Sequence, residues 1–146
     1  MRGEQDTDRL LHRAALLFLF GFVVHTADHA RRSLFVVTEQ VVGAGTFVSM
    51  LTAATITLLA TRHRLDALAA AGAGFSIALG VTATHLLPRW SAMSDPLPGG
   101  DVDAFTWIAV LLEVFGALAL GIAGVVAVRA RRSAGATSGA AVLESA

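Results

Sequence analysis

Four long blocks of apolar residues, separated by short polar segments, are the main pattern along this chain. Each block has about 20 residues or more, the length that an α-helix needs to cross the hydrocarbon core of a bilayer. The blocks are too long for strands, and in lipid a single segment satisfies its backbone groups only as a helix. The sequence therefore predicts an all-α integral membrane four-helix bundle, with helices at about residues 10–30, 41–61, 67–88 and 104–128.

The segments outside these blocks predict the domain organisation. Residues 89–103 contain two prolines and two glycines, which is typical of a turn-rich loop, and Pro88 is expected to end the third helix. The tail 133–146 is rich in alanine, glycine and serine and has no hydrophobic periodicity, so we expect it to be disordered. The prediction is a single four-helix transmembrane domain over residues 1–132.

The distribution of arginine predicts the orientation. With four crossings, eight arginines fall on the side of the two termini and three on the other side. Cytoplasmic loops carry the excess of basic residues in membrane proteins. We therefore predict a multi-pass protein of the cell membrane with cytoplasmic termini and with residues 31–40 and 89–103 outside. A cleaved signal peptide is the alternative for the first block, although His25 and Asp28 interrupt its apolar run.

Composition narrows the classes of function. The chain has 55% hydrophobic residues, 15% charged residues and no net charge, whereas soluble domains carry about 25% charged residues. Without net positive charge it has no general attraction for nucleic acid, so the expected partner is the lipid bilayer. It has no cysteine, which excludes disulfides, thiolate metal sites, iron–sulfur clusters and cysteine nucleophiles.

The strongest chemical signal is the segment His25-Thr26-Ala27-Asp28-His29, inside the first predicted helix. The i, i+3, i+4 spacing places His25, Asp28 and His29 on one helical face. An intramembrane acid costs about 2.5 to 3.5 kcal/mol on insertion scales and usually faces a partner or a cavity. This face is therefore predicted to point into the bundle.

Helix geometry places other ionisable residues at a similar depth. At about 1.5 Å per residue, His85 on the third helix and Glu113 on the fourth lie in the outer half of the bundle, like the first-helix histidines. Imidazoles with nearby carboxylates suit zinc, iron, manganese or copper. We predict a divalent metal site whose ligands are His25, His29 and His85. Asp28 or Glu113 then orients an imidazole or acts as a catalytic base.

Other chemistries remain open for the same residues. Histidines on two helices at one depth also suit haem b, which would make the chain a membrane electron carrier. A proton or substrate relay without metal, and a structural network in which Asp28 pairs with Arg31 or Arg32, are further alternatives. Four classes of protein therefore remain possible. They are a catalytic or non-catalytic metal protein, a haem protein, a small transporter or accessory subunit, and a structural membrane protein.

Three arginines lie on the predicted outer side, where membrane proteins usually carry few basic residues. They are Arg31, Arg32 and Arg89. Arginine binds phosphate and carboxylate groups well, so these residues predict a site for an anionic lipid headgroup or an anionic small-molecule substrate. Helix capping with side chains that reach the headgroups is the alternative.

Small residues recur at helix-packing spacing on three helices. In lipid such residues allow close approach of helix backbones, within one chain or in a homo-oligomer or membrane complex. On the second helix they are Ser49, Ala53 and Thr57, and on the third helix Gly72, Ser76, Gly80 and Thr84. On the Glu113 face of the fourth helix they are Gly116, Ala117, Gly121 and Gly124. A high content of alanine and glycine is the alternative explanation.

Two short segments match within the chain. Residues 26–29 (TADH) and 82–85 (TATH) share three of four residues near the ends of the first and third helices, which is consistent with two repeated helical hairpins. Residues 25–32 (HTADHARR) and 84–91 (THLLPRWS), with Ser94-Asp95 after them, resemble a family of small uncharacterised bacterial four-helix membrane proteins with an HxxDH motif. The resemblance covers residues 10–128 and implies this fold but no activity.

Overall fold

The computed structural model describes the backbone of residues 2–32 and 37–144 and the side chains of residues 5–32 and 37–135. In these residues there are four α-helices and no strand. The helices are α1 (Arg2–Arg32), α2 (Glu39–Ala60), α3 (Asp66–His85) and α4 (Ala104–Glu144). The chain is 80% helical, which confirms the predicted all-α four-helix bundle.

The helix ends differ from the apolar blocks that predict them. α1 begins at Arg2, and α4 continues to Glu144, so residues 133–144 are helical where disorder is expected from the sequence. The α4 extension is rich in alanine, which has the highest helix propensity. α3 ends at His85 because Pro88 lacks an N–H group and disfavours the helical conformation of the residue before it. Residues 33–36 of the first predicted external segment and 145–146 of the predicted tail lie outside the described residues.

All four helices are long and apolar enough to cross a membrane. Large apolar side chains also point away from the bundle, and Leu16, Met50 and Leu79 are 68%, 67% and 72% exposed. Soluble monomers rarely expose apolar patches of this extent. In a membrane, these side chains would contact the acyl chains of the lipid. The helices therefore indicate a multi-pass membrane protein.

α4 is the central helix of the packing. α1 and α3 each pack along it, whereas α2 packs on α3. At the α3–α4 contact, a Cβ added to Gly74 would lie 2.3 Å from the backbone nitrogen of Gly121. At the α1–α4 contact, a Cβ added to Gly116 would lie 2.7 Å from the Cα of Phe18. This confirms that the small-residue face of α4 packs against neighbouring helices.

The small-residue stripe predicted on α3 is not a packing face within the chain. Gly72, Ser76 and Gly80 are exposed, and a Cβ added to either glycine would meet nothing within 4 Å. α3 instead buries the neighbouring face, because that face combines Gly74 with larger apolar side chains that fill the space beside α4. Its buried members are Ala70, Ala73, Gly74, Ile77, Ala78 and Val81.

Candidate metal centre

Three histidines meet where the C-terminal ends of α1 and α3 lie beside the N-terminal half of α4. One ring nitrogen from each of His25, His29 and His85 lies within 4.8 Å of the other two. The ring centroids are 4.7 to 5.4 Å apart, so the rings are in direct contact. His25 and His85 are buried and His29 is half-buried. The structure thus brings together the three residues predicted as metal ligands, which we call the histidine cluster.

Glu113 lies against the first member of this cluster. Its Oε2 and the Nδ1 of His25 form a hydrogen bond, and both side chains are buried. The contact follows from helix packing, since Gly21, one turn before His25, lets α1 approach the backbone of Leu112 and Glu113. With Nδ1 engaged by the carboxylate, Nε2 is the nitrogen of His25 that remains for another ligand.

His85 is oriented by the chain that follows it. The backbone N–H groups of Asp95 and Leu97 donate to the carbonyl oxygens of Thr84 and His85 at 2.9 and 2.8 Å, which satisfies the end of α3. The turn places the carbonyl oxygen of Asp95 at 3.0 Å from Nδ1 of His85. Because a carbonyl only accepts hydrogen bonds, Nδ1 carries the proton and Nε2 carries the lone pair.

Residues 89–103 have the irregular structure expected for a turn-rich loop, and they cover the end of α3. The N–H groups of Trp90 and Ser91 donate to Ser94 Oγ at 3.1 and 3.2 Å. Ser94 and Leu97 are only 2% exposed, which anchors the loop against the bundle. Sequence reasoning assigned Asp95 no role at the site, because the turn that brings it to His85 cannot be read from residue spacing. In the structure both its carbonyl oxygen and its side chain reach His85, with Oδ2 3.7 Å from Nδ1.

Asp28 is buried, but its partner is an arginine. Arg31 donates from Nε and Nη2 to Asp28 Oδ1 at 3.0 and 2.8 Å. The same guanidinium reaches Asp103 Oδ2 at 2.9 Å and Thr106 Oγ1 at 3.3 Å, which joins the end of α1 to the start of α4. Within the described residues, the hydrogen bonds of the Asp28 side chain go to Arg31 and none goes to a histidine. Asp28 therefore forms the ion pair with Arg31 that belongs to the structural network, one of the alternatives that the sequence leaves open.

The three arginines predicted to bind an anion do not share one cleft. Arg31 and Arg32 line a cleft of about 300 Å³, whereas Arg89 is exposed and is not among its lining residues. Arg32 Nη1 lies 3.6 Å from Asp95 Oδ2, so this charge also has an acidic neighbour.

Acidic residues offset the charge of this cleft. Asp101 and Asp103 belong to its lining. The hydrogen bond from the Thr106 backbone N–H, together with the nearby Arg31, lowers the pKa of Asp103, so this carboxylate is ionised at neutral pH. The cleft is consequently a poor match for an anion, and the predicted anion-binding role of the arginines has no support from their geometry.

No protein-family model, no curated protein and no solved structure matches this chain. The resemblance to a family of bacterial four-helix membrane proteins therefore stays a prediction.

Proposed function

We propose that this chain is an integral membrane protein that binds one divalent metal ion through His25, His29 and His85. The fixed orientation of two of these imidazoles carries the proposal. Nδ1 of His25 faces the Glu113 carboxylate, and Nδ1 of His85 donates to the Asp95 carbonyl oxygen. Metal-ligating histidines usually donate their second ring N–H to a carboxylate or a backbone carbonyl, which leaves the other nitrogen for the ion.

The spacing of the ring nitrogens supports a small ion. A tetrahedral zinc ion lies about 2.0 to 2.1 Å from each imidazole nitrogen, so its ligand nitrogens are about 3.3 Å apart. From separations of up to 4.8 Å, side-chain shifts of about 1 Å bring the three nitrogens to this distance. Neutral imidazoles suit zinc, copper(II), iron or manganese better than calcium or magnesium, which prefer oxygen ligands.

The direct contact of the imidazole rings favours an ion over haem b. Two histidines that ligate one haem iron lie on opposite faces of the porphyrin. Rings whose centroids are 4.7 to 5.4 Å apart leave no gap for a macrocycle between them. The haem alternative would therefore require α1 and α3 to separate.

Three protein nitrogens leave one position of a tetrahedral ion open, which is the arrangement of catalytic zinc sites. An ion held in this way activates a water molecule or binds an anionic oxygen. We propose that the site acts on a membrane-associated or anionic substrate, because the histidine cluster lies between membrane-spanning helices near the end of the bundle. In this role Glu113 keeps His25 in the correct tautomer and stabilises its ring orientation.

The test of this proposal is metal binding by the detergent-purified chain and by Glu113→Gln. We expect one zinc ion per wild-type chain in elemental analysis after removal of free metal. Glu113→Gln keeps an acceptor for the Nδ1 proton but removes the charge, so we expect about a tenfold loss of zinc affinity in competition with a chromogenic chelator.

Glu39→Gln is the matched control, because Glu39 is exposed at the start of α2. This variant should bind zinc like the wild type. Unchanged affinity in Glu113→Gln would contradict the role of Glu113. A wild-type chain that retains none of zinc, iron, manganese or copper would contradict the metal site itself.

We also propose that both termini are cytoplasmic and that the histidine cluster lies towards the outer surface, on the basis of the arginine distribution. Since the chain has no cysteine, single cysteines report topology without background. Asp101→Cys in the loop between α3 and α4 should react with a membrane-impermeant maleimide in intact cells. Arg64→Cys between α2 and α3 should react only after permeabilisation. The reverse pattern would place the histidine cluster towards the cytoplasm.

A further inference from the structure

A basic cleft lies at the end of the bundle opposite the histidine cluster. It has a volume of about 540 Å³ and is formed by the first turns of α1 and by the segment that follows α2. The lining residues of this basic cleft are Gln5, Asp8, Arg9, His12, Arg13 and Arg62.

The basic cleft carries an excess of positive charge. Its acidic residue, Asp8, is already paired, since Asp8 Oδ1 lies 3.3 Å from Nη2 of Arg131. Arg131 also forms an ion pair with the buried Asp66 of α3. Within the described side chains, neither Arg13 nor Arg62 has an ion pair with an acid. Two guanidinium groups from two different parts of the chain therefore face this space with uncompensated charge.

An apolar surface continues from the basic cleft towards the centre of the membrane. Leu16, Leu17 and Phe20 follow Arg13 at i+3, i+4 and i+7, so they lie on the same face of α1. They are 68%, 45% and 58% exposed. α1 packs along α4 and α2 packs on α3, and among the described residues α1 and α2 barely contact each other. Within the part of the chain that the structure describes, no other helix covers this face of α1, which is basic at one end and apolar beyond it.

We propose that the basic cleft binds the phosphate group of a phospholipid with a net negative charge, whose acyl chains lie along Leu16, Leu17 and Phe20. Arginine forms paired hydrogen bonds with phosphate oxygens, and basic pockets between membrane helices bind anionic headgroups. The uncompensated charge of Arg13 and Arg62 selects such a lipid over a zwitterionic one. The bound lipid covers the exposed apolar face of α1 that continues from the basic cleft.

The experiment compares lipid retention by native mass spectrometry of the full chain in a neutral detergent. Phosphatidylglycerol and phosphatidylcholine are offered at equal concentration, and the wild type should retain phosphatidylglycerol preferentially. In Arg13→Gln/Arg62→Gln this preference should fall by about 30-fold, because each arginine beside an anionic headgroup changes affinity by about fivefold. Should the double variant fail to fold, each single variant is expected to lose about fivefold.

The matched control is Arg64→Gln/Arg132→Gln, which removes the same charge from exposed positions at the same end of the bundle but outside the basic cleft. It should keep the preference for phosphatidylglycerol. An equal loss in the control would overturn the proposal in favour of general charge attraction, and so would an unchanged preference in Arg13→Gln/Arg62→Gln. Displacement of phosphatidylglycerol by a similar concentration of inorganic phosphate would also overturn it, because the site would then bind an anion without its acyl chains.

Discussion

Gly74→Val should lower the stability of the bundle by about 3 kcal/mol, as expected when a well-packed contact is overfilled. A Cβ at this position would lie 2.3 Å from the backbone nitrogen of Gly121 and 2.6 Å from the carbonyl oxygen of Ala117. These are backbone atoms of α4, so no side-chain rotation relieves the clash. α3 must therefore move away from α4, and the contacts of Ile77 and Val81 weaken with it.

Gly72→Val is the matched control for this prediction. It lies on the same helix, replaces the same residue type and adds the same side chain, but a Cβ there meets nothing within 4 Å. We expect a change of at most about 0.5 kcal/mol, as for other surface substitutions. Unfolding in detergent with increasing sodium dodecyl sulfate, followed by far-ultraviolet circular dichroism, measures both variants. Equal destabilisation of the two would contradict the packing of α3 described above.

The contrast between Gly74 and Gly72 shows which features of the fold can be predicted from the sequence and which cannot. Four apolar blocks determine four helices because each must satisfy its own backbone in lipid. The packed face of α4 is also predictable, since Glu113 marks the side that faces inwards. On α3 the spacing of small residues is misleading, because small residues occupy both the buried face around Gly74 and the exposed face around Gly72. The buried His85 marks the inner face only at the C-terminal end of this helix, where Val81 and Ala78 share that face.

The histidine cluster is predictable from the sequence, because helix spacing and depth indicate which side chains can meet. The carboxylate that contacts the cluster is only partly predictable. His25 and His29 lie one turn apart on one helix, and depth alone assigns His85 to the same level. The choice between two carboxylates depends on packing: Arg31, three residues after Asp28, neutralises that acid, whereas the close approach at Gly21 brings Glu113 to His25. The three-residue spacing allows Asp28 to pair with Arg31, but the sequence alone does not exclude Asp28 as a residue of the metal site.

The largest effect on metal binding is expected from removal of the histidines themselves. His29→Ala should lower zinc affinity by more than about 100-fold, which exceeds the 10- to 100-fold loss typical for partners that only orient a ligand. His29 is the most informative single position, because it is half-buried and its described ring contacts are with His25 and His85. Its removal takes away a nitrogen ligand and leaves the bonds to Glu113 and Asp95 in place.

The triple variant His25→Ala/His29→Ala/His85→Ala should retain no stoichiometric zinc in elemental analysis. The matched control is His12→Ala/His63→Ala, which removes the two exposed histidines at the other end of the bundle. Their rings contact the backbone of Asp8 and Leu65, far from the histidine cluster, so this control should keep one ion per chain. Circular dichroism of all variants checks that the helices persist. Stoichiometric zinc in the triple variant, or its loss from the control, would show that the ion binds elsewhere, because three imidazoles supply every protein ligand of the proposed site.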